Sequence, residues 1–105
     1  MLGIDLVHIP EFIQQLQSGG KTFLDKAYDA SELHDRRPEH LAGLWAAKES
    51  VIKASSLKPG NWLDIRIAYD PDGRPFAMVG SERYAVSIAH HGEYAVAVAQ
   101  RMDDA

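Results

Sequence analysis

The chain has 105 residues, a net charge of −4 at neutral pH and no cysteine. That length suits one compact domain, 1–105, and not two, and a hydrophobic fraction of 46% with a charged fraction of 25% is ordinary for a globular chain. The acidic balance argues against nucleic acid or an anionic membrane as a general partner, and the missing cysteines exclude disulfides, thiolate nucleophiles and cysteine-ligated metal centres.

The first stretch, MLGIDLVHIP, lacks a basic leader and carries Asp5 inside its apolar run, so it is a poor signal peptide. No apolar run approaches the ~20 residues needed to cross a bilayer. A cytoplasmic location is the expectation. Leu2 to Ile9 reads as a strand of short-range, mostly branched apolar residues. Pro10 stops it and opens a short amphipathic helix over 10–17, PEFIQQLQ, with Phe12, Ile13 and Leu16 on one side and Gly19-Gly20 beyond its end. Residues 21–37 carry weaker signals, with Ser31 as a cap for a brief helix over ELHD.

A long helix is expected over 38–56, from Pro38 to the stop signal Lys58-Pro59-Gly60. The period then changes from helical to alternating. Trp62 to Tyr69 reads as a strand, DPDG at 70–73 as a turn and Pro75 to Val79 as a second strand. Tyr84 to His90 and Tyr94 to Gln100 read as a hairpin around His91-Gly92. Short connections imply antiparallel pairing, and the whole is α+β. In the hairpin, Tyr84, Val86 and Ile88 are expected on one side with Tyr94, Val96 and Val98, and the alanines with Ser87 on the other. Neither side is charged, which suggests a subunit interface.

The chemistry concentrates in WAAKESVIKA, residues 45–54. Leu41, Leu44, Trp45, Val51 and Ile52 form the apolar stripe, and Lys48 lies between its turns, directed at the core. Ala42, Ala46, Glu49 and Lys53 form an adjoining face whose alanines admit a ligand or another backbone. Glu49 and Lys53 can be read as a solvated i, i+4 pair worth ~0.3–0.5 kcal/mol, and Lys48 as a stem on apolar surface with its head in water. Asp5 offers another reading. Aspartate is disfavoured inside strands, and a buried, unpaired carboxylate is costly. If Asp5 meets Glu49, the two carboxylates hold a hard cation such as Mg²⁺, and Lys48 and Lys53 neutralise its phosphates. His90-His91 stands at a strand end beside a turn, as a cap or as a proton acceptor or phosphate ligand.

GIDLVHI, WAAKESVIKA and VSIAHHGEYAVAVA, in that order, resemble the signature of the 4'-phosphopantetheinyl transferases, in the short holo-acyl-carrier-protein synthase branch. WLDIRIAYDPDGRPFAMV resembles the strand pair after the long helix, and LAGLWAAKES the helix leading into the motif, so the likeness covers nearly the whole chain. The resemblance implies an antiparallel sheet packed on one long helix and shorter helices, assembled as a homotrimer with sites between subunits. It implies Mg²⁺-dependent transfer of 4'-phosphopantetheine from coenzyme A to a serine of apo acyl carrier protein, with adenosine 3',5'-bisphosphate as the other product. It assigns Asp5 and Glu49 to the metal, Lys53 to the pyrophosphate, Lys48 to the motif's other lysine, facing a buried polyanion or an internal carboxylate, and His90 to the nucleotide. Gly73 and Pro75 match the turn beside the adenine, and Arg36 and Arg37 resemble a basic pair that reaches the ribose 3'-phosphate. Glu49, a metal-bound water and His90 are the candidates to take the serine proton.

Four departures from the pattern stand out. ASSLKPGNW replaces a glycine-rich stretch, Leu44 stands where many relatives carry arginine, SIAH replaces SxSH at Ala89, and PEFIQQLQ carries no basic residue. A coenzyme A-binding or assembly module with weak catalysis is the alternative they raise.

Overall fold

In the computed structural model, which describes residues 1–102, strand β1 (Leu2–His8) divides its side chains between two contrasting faces. Gly3, Asp5 and Val7 turn inward, towards helix α2 (Pro38–Ala54). Leu2, Ile4 and Leu6 turn outward and are 61%, 58% and 63% exposed. β1 is one edge of a five-stranded sheet that includes β2 (Arg66–Tyr69), β3 (Pro75–Val79), β4 (Glu82–His91) and β5 (Tyr94–Arg101). The order is β1-β5-β4-β3-β2, with every neighbouring pair antiparallel. The α+β expectation is met. No described helix is long and apolar enough to cross a membrane.

α2 crosses the inner face of the sheet and is buried nearly all round, from Leu41 to Ala54, because α1 and the loops cover its other side. Its small residues decide how close it comes. A Cβ added at Gly3 would lie 1.9 Å from the carbonyl oxygen of Ser50 and 2.9 Å from the amide nitrogen of Ala54. Strand and helix therefore touch backbone to backbone at this point. Asp5, two residues further along the same face, comes within reach of Lys53 on that same turn. The Gly-Ile-Asp spacing thus has a packing cause. Gly3→Ala is expected to cost about 1–3 kcal/mol by overpacking, seen in thermal denaturation as a fall on the order of 10 °C.

The hairpin pairs in a register that differs from the expected one. Val86 faces Ala99, Ile88 faces Ala97 and His90 faces Ala95 on the inner side. Ser87 faces Val98, Ala89 faces Val96 and His91 faces Tyr94 on the outer side. From Val86 to His90, each large side chain of one strand meets a small one of the other. The turn is Gly92-Glu93, with Gly92 at a φ of 57°, rather than His91-Gly92. Ala95, Ala97 and Ala99 are fully covered by α2, and the residues left outside are Tyr94, Val96 and Val98.

Helix α1 (Ile9–Ala27) is longer than the sequence suggested. Gly20, at φ 53° and ψ −144°, breaks the helical path without ending the element. The apolar stripe of Phe12 and Leu16 resumes beyond the kink at Phe23, Leu24 and Ala27, all packed on the core. Phe23 and Phe12 hold Trp45 between ring centroids 5.3 and 6.2 Å away. A 3₁₀ turn follows at Ala30–His34. Its cap is Asp29, not Ser31: the Asp29 carboxylate accepts from the Ser31 amide at 3.0 Å, and Glu32 accepts from the Asp29 amide at 2.7 Å. The expected strand from Trp62 begins only at Arg66, because Trp62–Asp64 form a second 3₁₀ turn.

Candidate active site

β1, the start of α1 and the middle of α2 enclose a cleft of about 390 Å³ lined by Asp5, His8, Glu11, Phe12, Trp45 and Glu49. Three of the expected residues meet beside it. Lys53 Nζ donates to Asp5 Oδ1 at 2.9 Å and to the Ile4 carbonyl at 3.0 Å. Trp62 Nε1 donates to Glu49 Oε1 at 3.4 Å. Burial raises the Glu49 carboxyl above the ordinary carboxylate value and the Asp5 charge adds to the rise, while the Trp62 hydrogen bond and Lys53 oppose it.

The raised Glu49 has a consequence for stability. A carboxyl whose pKa is higher folded than unfolded stabilises the fold at low pH, and that contribution is lost as pH rises through the folded value. Ionised Glu49 therefore costs stability at neutral pH. Glu49→Gln is expected to raise the melting temperature by on the order of a few degrees at pH 7.5. The gain should vanish near pH 4, where both states carry the proton. Calorimetry at the two pH values checks this.

The donor set suits a hard divalent cation. Both carboxylates offer oxygen ligands, and a lysine ammonium already sits against Asp5. Among the described residues no cage of three or more histidine, aspartate or glutamate side chains forms. Two carboxylates match a cation that keeps waters and takes its other ligands from phosphate.

Lys48 is the correction. It was expected to bind the donor, but its side chain is 0% exposed and lies away from the cleft. Its ammonium donates to Glu32 Oε1 at 2.7 Å, the Ala27 carbonyl at 2.8 Å and the Trp62 carbonyl at 3.2 Å. An ammonium has three donors, so none is left for a phosphate. Of the two partners expected for an inward lysine, a polyanion and an internal carboxylate, the structure supplies the carboxylate. Glu32 in turn accepts from the Ile67 amide at 2.8 Å, tying the 3₁₀ turn, α2 and β2 together.

The remaining expected residues lie elsewhere in the chain. Arg37 and His90 line a second cavity of about 400 Å³ with Glu39 and His40. His90 Nε2 is 2.8 Å from the Glu39 carbonyl, and Arg37 grips Asp35 through Nε at 3.0 Å and Nη2 at 2.7 Å. Arg36 Nε donates to the Leu33 carbonyl at 3.3 Å. Gly73, at φ 88°, closes the β2–β3 turn through a 2.8 Å bond from its amide to the Asp70 carbonyl. Pro75 lines a third cavity with Arg74 and Arg83. Leu44 is buried in the core.

Sequence reasoning missed Glu32, Trp62, His8, Glu11 and His40. The spacing Asp29-x-x-Glu32 is a capping-box signal for Glu32. His8 and Glu11 follow Asp5 across the strand-to-helix junction, where no periodicity points at them. His40 Nε2 is buried without a hydrogen-bond partner, and burial lowers its pKa.

The family model of the 4'-phosphopantetheinyl transferase superfamily matches residues 1–99. The chain belongs to this superfamily. A holo-[acyl-carrier-protein] synthase of Mycobacterium sp. (strain KMS) is 37% identical over 120 residues, covering 93% of this chain and 92% of the relative. One from Corynebacterium efficiens is 35% identical, covering 92% and 89%. The solved structure of Helicobacter pylori holo-[acyl-carrier-protein] synthase in complex with coenzyme A superposes with a TM-score of 0.87 at 27% identity, covering 97% of this chain and 100% of that one. The Chronobacterium ammoniagenes ACPS–CoA complex gives 0.80 at 32% identity, covering 99% and 97%. In this transferase, then, the family's sheet and long helix are built in full, and Asp5, Glu49 and Lys53 gather where they cross.

Proposed function

We propose that this transferase moves 4'-phosphopantetheine from coenzyme A to a serine hydroxyl of an apo acyl carrier protein and releases adenosine 3',5'-bisphosphate. The observation that carries the reading is the convergence of Asp5, Glu49 and Lys53 on one cleft of a family member. Asp5 and Glu49 hold Mg²⁺, which supplies charge neutralisation for the coenzyme A pyrophosphate when bound. Lys53 is half-exposed on a four-carbon stem, so it can turn from Asp5 to the phosphate being displaced. The serine oxygen forms a bond to the phosphorus carrying pantetheine as the bond to the bridging oxygen breaks, and the bisphosphate leaves with that oxygen. The serine proton must go to a base. Glu49, which lines the cleft, and His90 are the side chains of this chain that could take it. His90 lines a different cavity of the same chain and has Nε2 on a carbonyl.

The reading includes a homotrimer with the donor held between subunits. The outward side of β1 and β5, with Leu2, Ile4, Leu6 and Tyr94 all exposed, supplies an apolar face for it. Assembly would bring Arg36, Arg37, His90, Gly73 and Pro75 of one chain to the Asp5–Glu49 cleft of another. A cytoplasmic location agrees with the cysteine-free chain.

Chromatographic release of adenosine 3',5'-bisphosphate tests the reaction. One equivalent should appear per apo carrier, and only with magnesium. Release without carrier would make the activity a hydrolysis and overturn the reading.

A further inference from the structure

Trp62 is held at three points, one on its backbone and two on its indole, that a merely buried aromatic does not need. Its ring packs against Trp45 at 4.7 Å between centroids, tilted by 42°. Its carbonyl accepts from Lys48 Nζ at 3.2 Å and from the Ile65 amide at 3.2 Å. Its single donor, Nε1, is spent on Glu49 Oε1 at 3.4 Å, although the residue is only partly buried and water is within reach.

These contacts form one chain of polar links. It runs from the Ile67 amide to Glu32 at 2.8 Å, from Glu32 to Lys48 at 2.7 Å, from Lys48 to the Trp62 carbonyl at 3.2 Å and from the indole to Glu49 at 3.4 Å. Every member before Glu49 lies outside the cleft. We propose that Trp62 is a positioning residue: it fixes the rotation of the Glu49 carboxylate so that the oxygen not bonded to the indole is presented to the divalent cation, and the buried Lys48–Glu32 pair holds Trp62 in place to do so.

This rests on the reading of Glu49 as a metal ligand. A carboxylate ligand that can rotate loses affinity through its own entropy, and an N–H on one oxygen removes that freedom. The link also gives Lys48 a part in the site that its burial appeared to deny it. The ammonium never meets a phosphate. It sets the 3₁₀ turn from which Trp62 reaches the metal's carboxylate.

Trp62→Phe keeps a ring against Trp45 and removes only the N–H. Calorimetric titration of magnesium chloride into the protein–coenzyme A complex should show affinity weakened about 10–100-fold in Trp62→Phe. The melting temperature and the metal-free affinity for coenzyme A should stay at wild-type values, and kcat should recover at high magnesium. Wild-type magnesium affinity in Trp62→Phe would overturn the inference. So would parallel losses of melting temperature and metal-free coenzyme A binding, which would mark a packing role only. Magnesium binding that survives Glu49→Ala would overturn the reading of Glu49 itself and this inference with it.

Discussion

Glu32→Ala is expected to destabilise the fold by about 3–5 kcal/mol, because it strands the Lys48 ammonium in the interior without its counter-charge. It also removes the acceptor of the Ile67 and Asp29 amides. For a domain of this size the loss lowers the melting temperature by about 15 °C or more. Its pH dependence is specific. Burial depresses the Lys48 pKa in the fold and Glu32 opposes that. Without Glu32 the depression deepens, so protonating the lysine costs stability as pH falls through the folded value. The deficit of Glu32→Ala should therefore shrink as pH rises towards 10.5, the ordinary lysine value. Replacing both partners, Glu32→Gln with Lys48→Met, should recover part of the loss, since no uncompensated charge is left buried and the Gln amide oxygen still accepts from a backbone amide. Denaturation of the wild type and the two variants at pH 7 and pH 9.5 checks this. A wild-type melting temperature in Glu32→Ala would show that the buried pair does not hold the fold.

Asp5→Ala is expected to behave in the opposite way, with turnover falling on the order of 10³-fold or more while the fold is kept. The activity loss follows from removing one of the two carboxylates proposed to hold the cation that neutralises the developing phosphate charge. The stability cost is small. The partner of Asp5 is Lys53, whose side chain is 53% exposed, and such pairs contribute about 0–1 kcal/mol. Initial rates together with circular dichroism melting curves separate the two effects. Full activity in Asp5→Ala would remove the metal assignment.

The contrast between these two variants marks where sequence reasoning works on this chain. Asp5 is legible because a carboxylate in a strand of Leu, Ile and Val is a local anomaly. Glu49 and Lys53 are legible because one helical turn separates them. All three act through neighbours that periodicity can place. Lys48 is half legible: its position in the apolar stripe reveals that it points inward. Its partner lies 16 residues away, in a turn whose cap was read at Ser31 instead of Asp29. The other misses share that cause. Gly19-Gly20 looked like a stop, but the contacts of Phe23 and Leu24 with the core favour continuing the helix through a kink. Trp62 looked like the start of a strand because its neighbours alternate, whereas Lys48 and Trp45 draw it into a turn. The hairpin register depended on whether the turn sits at His91-Gly92 or Gly92-Glu93, a one-residue difference that the alternation of Ala and Val does not resolve. Gly3, in turn, shows why a family motif can be read as packing. Its hydrogen-only side chain is what lets α2 approach closely enough for Lys53 to reach Asp5.

The most direct test of the central claim is intact-mass spectrometry of an apo acyl carrier protein after incubation with coenzyme A, magnesium and this transferase. The account predicts a gain of one phosphopantetheinyl group on the carrier serine, abolished by chelation and by Asp5→Ala. A carrier mass that stays unchanged while coenzyme A binds normally, or a gain that Asp5→Ala leaves intact, would contradict it.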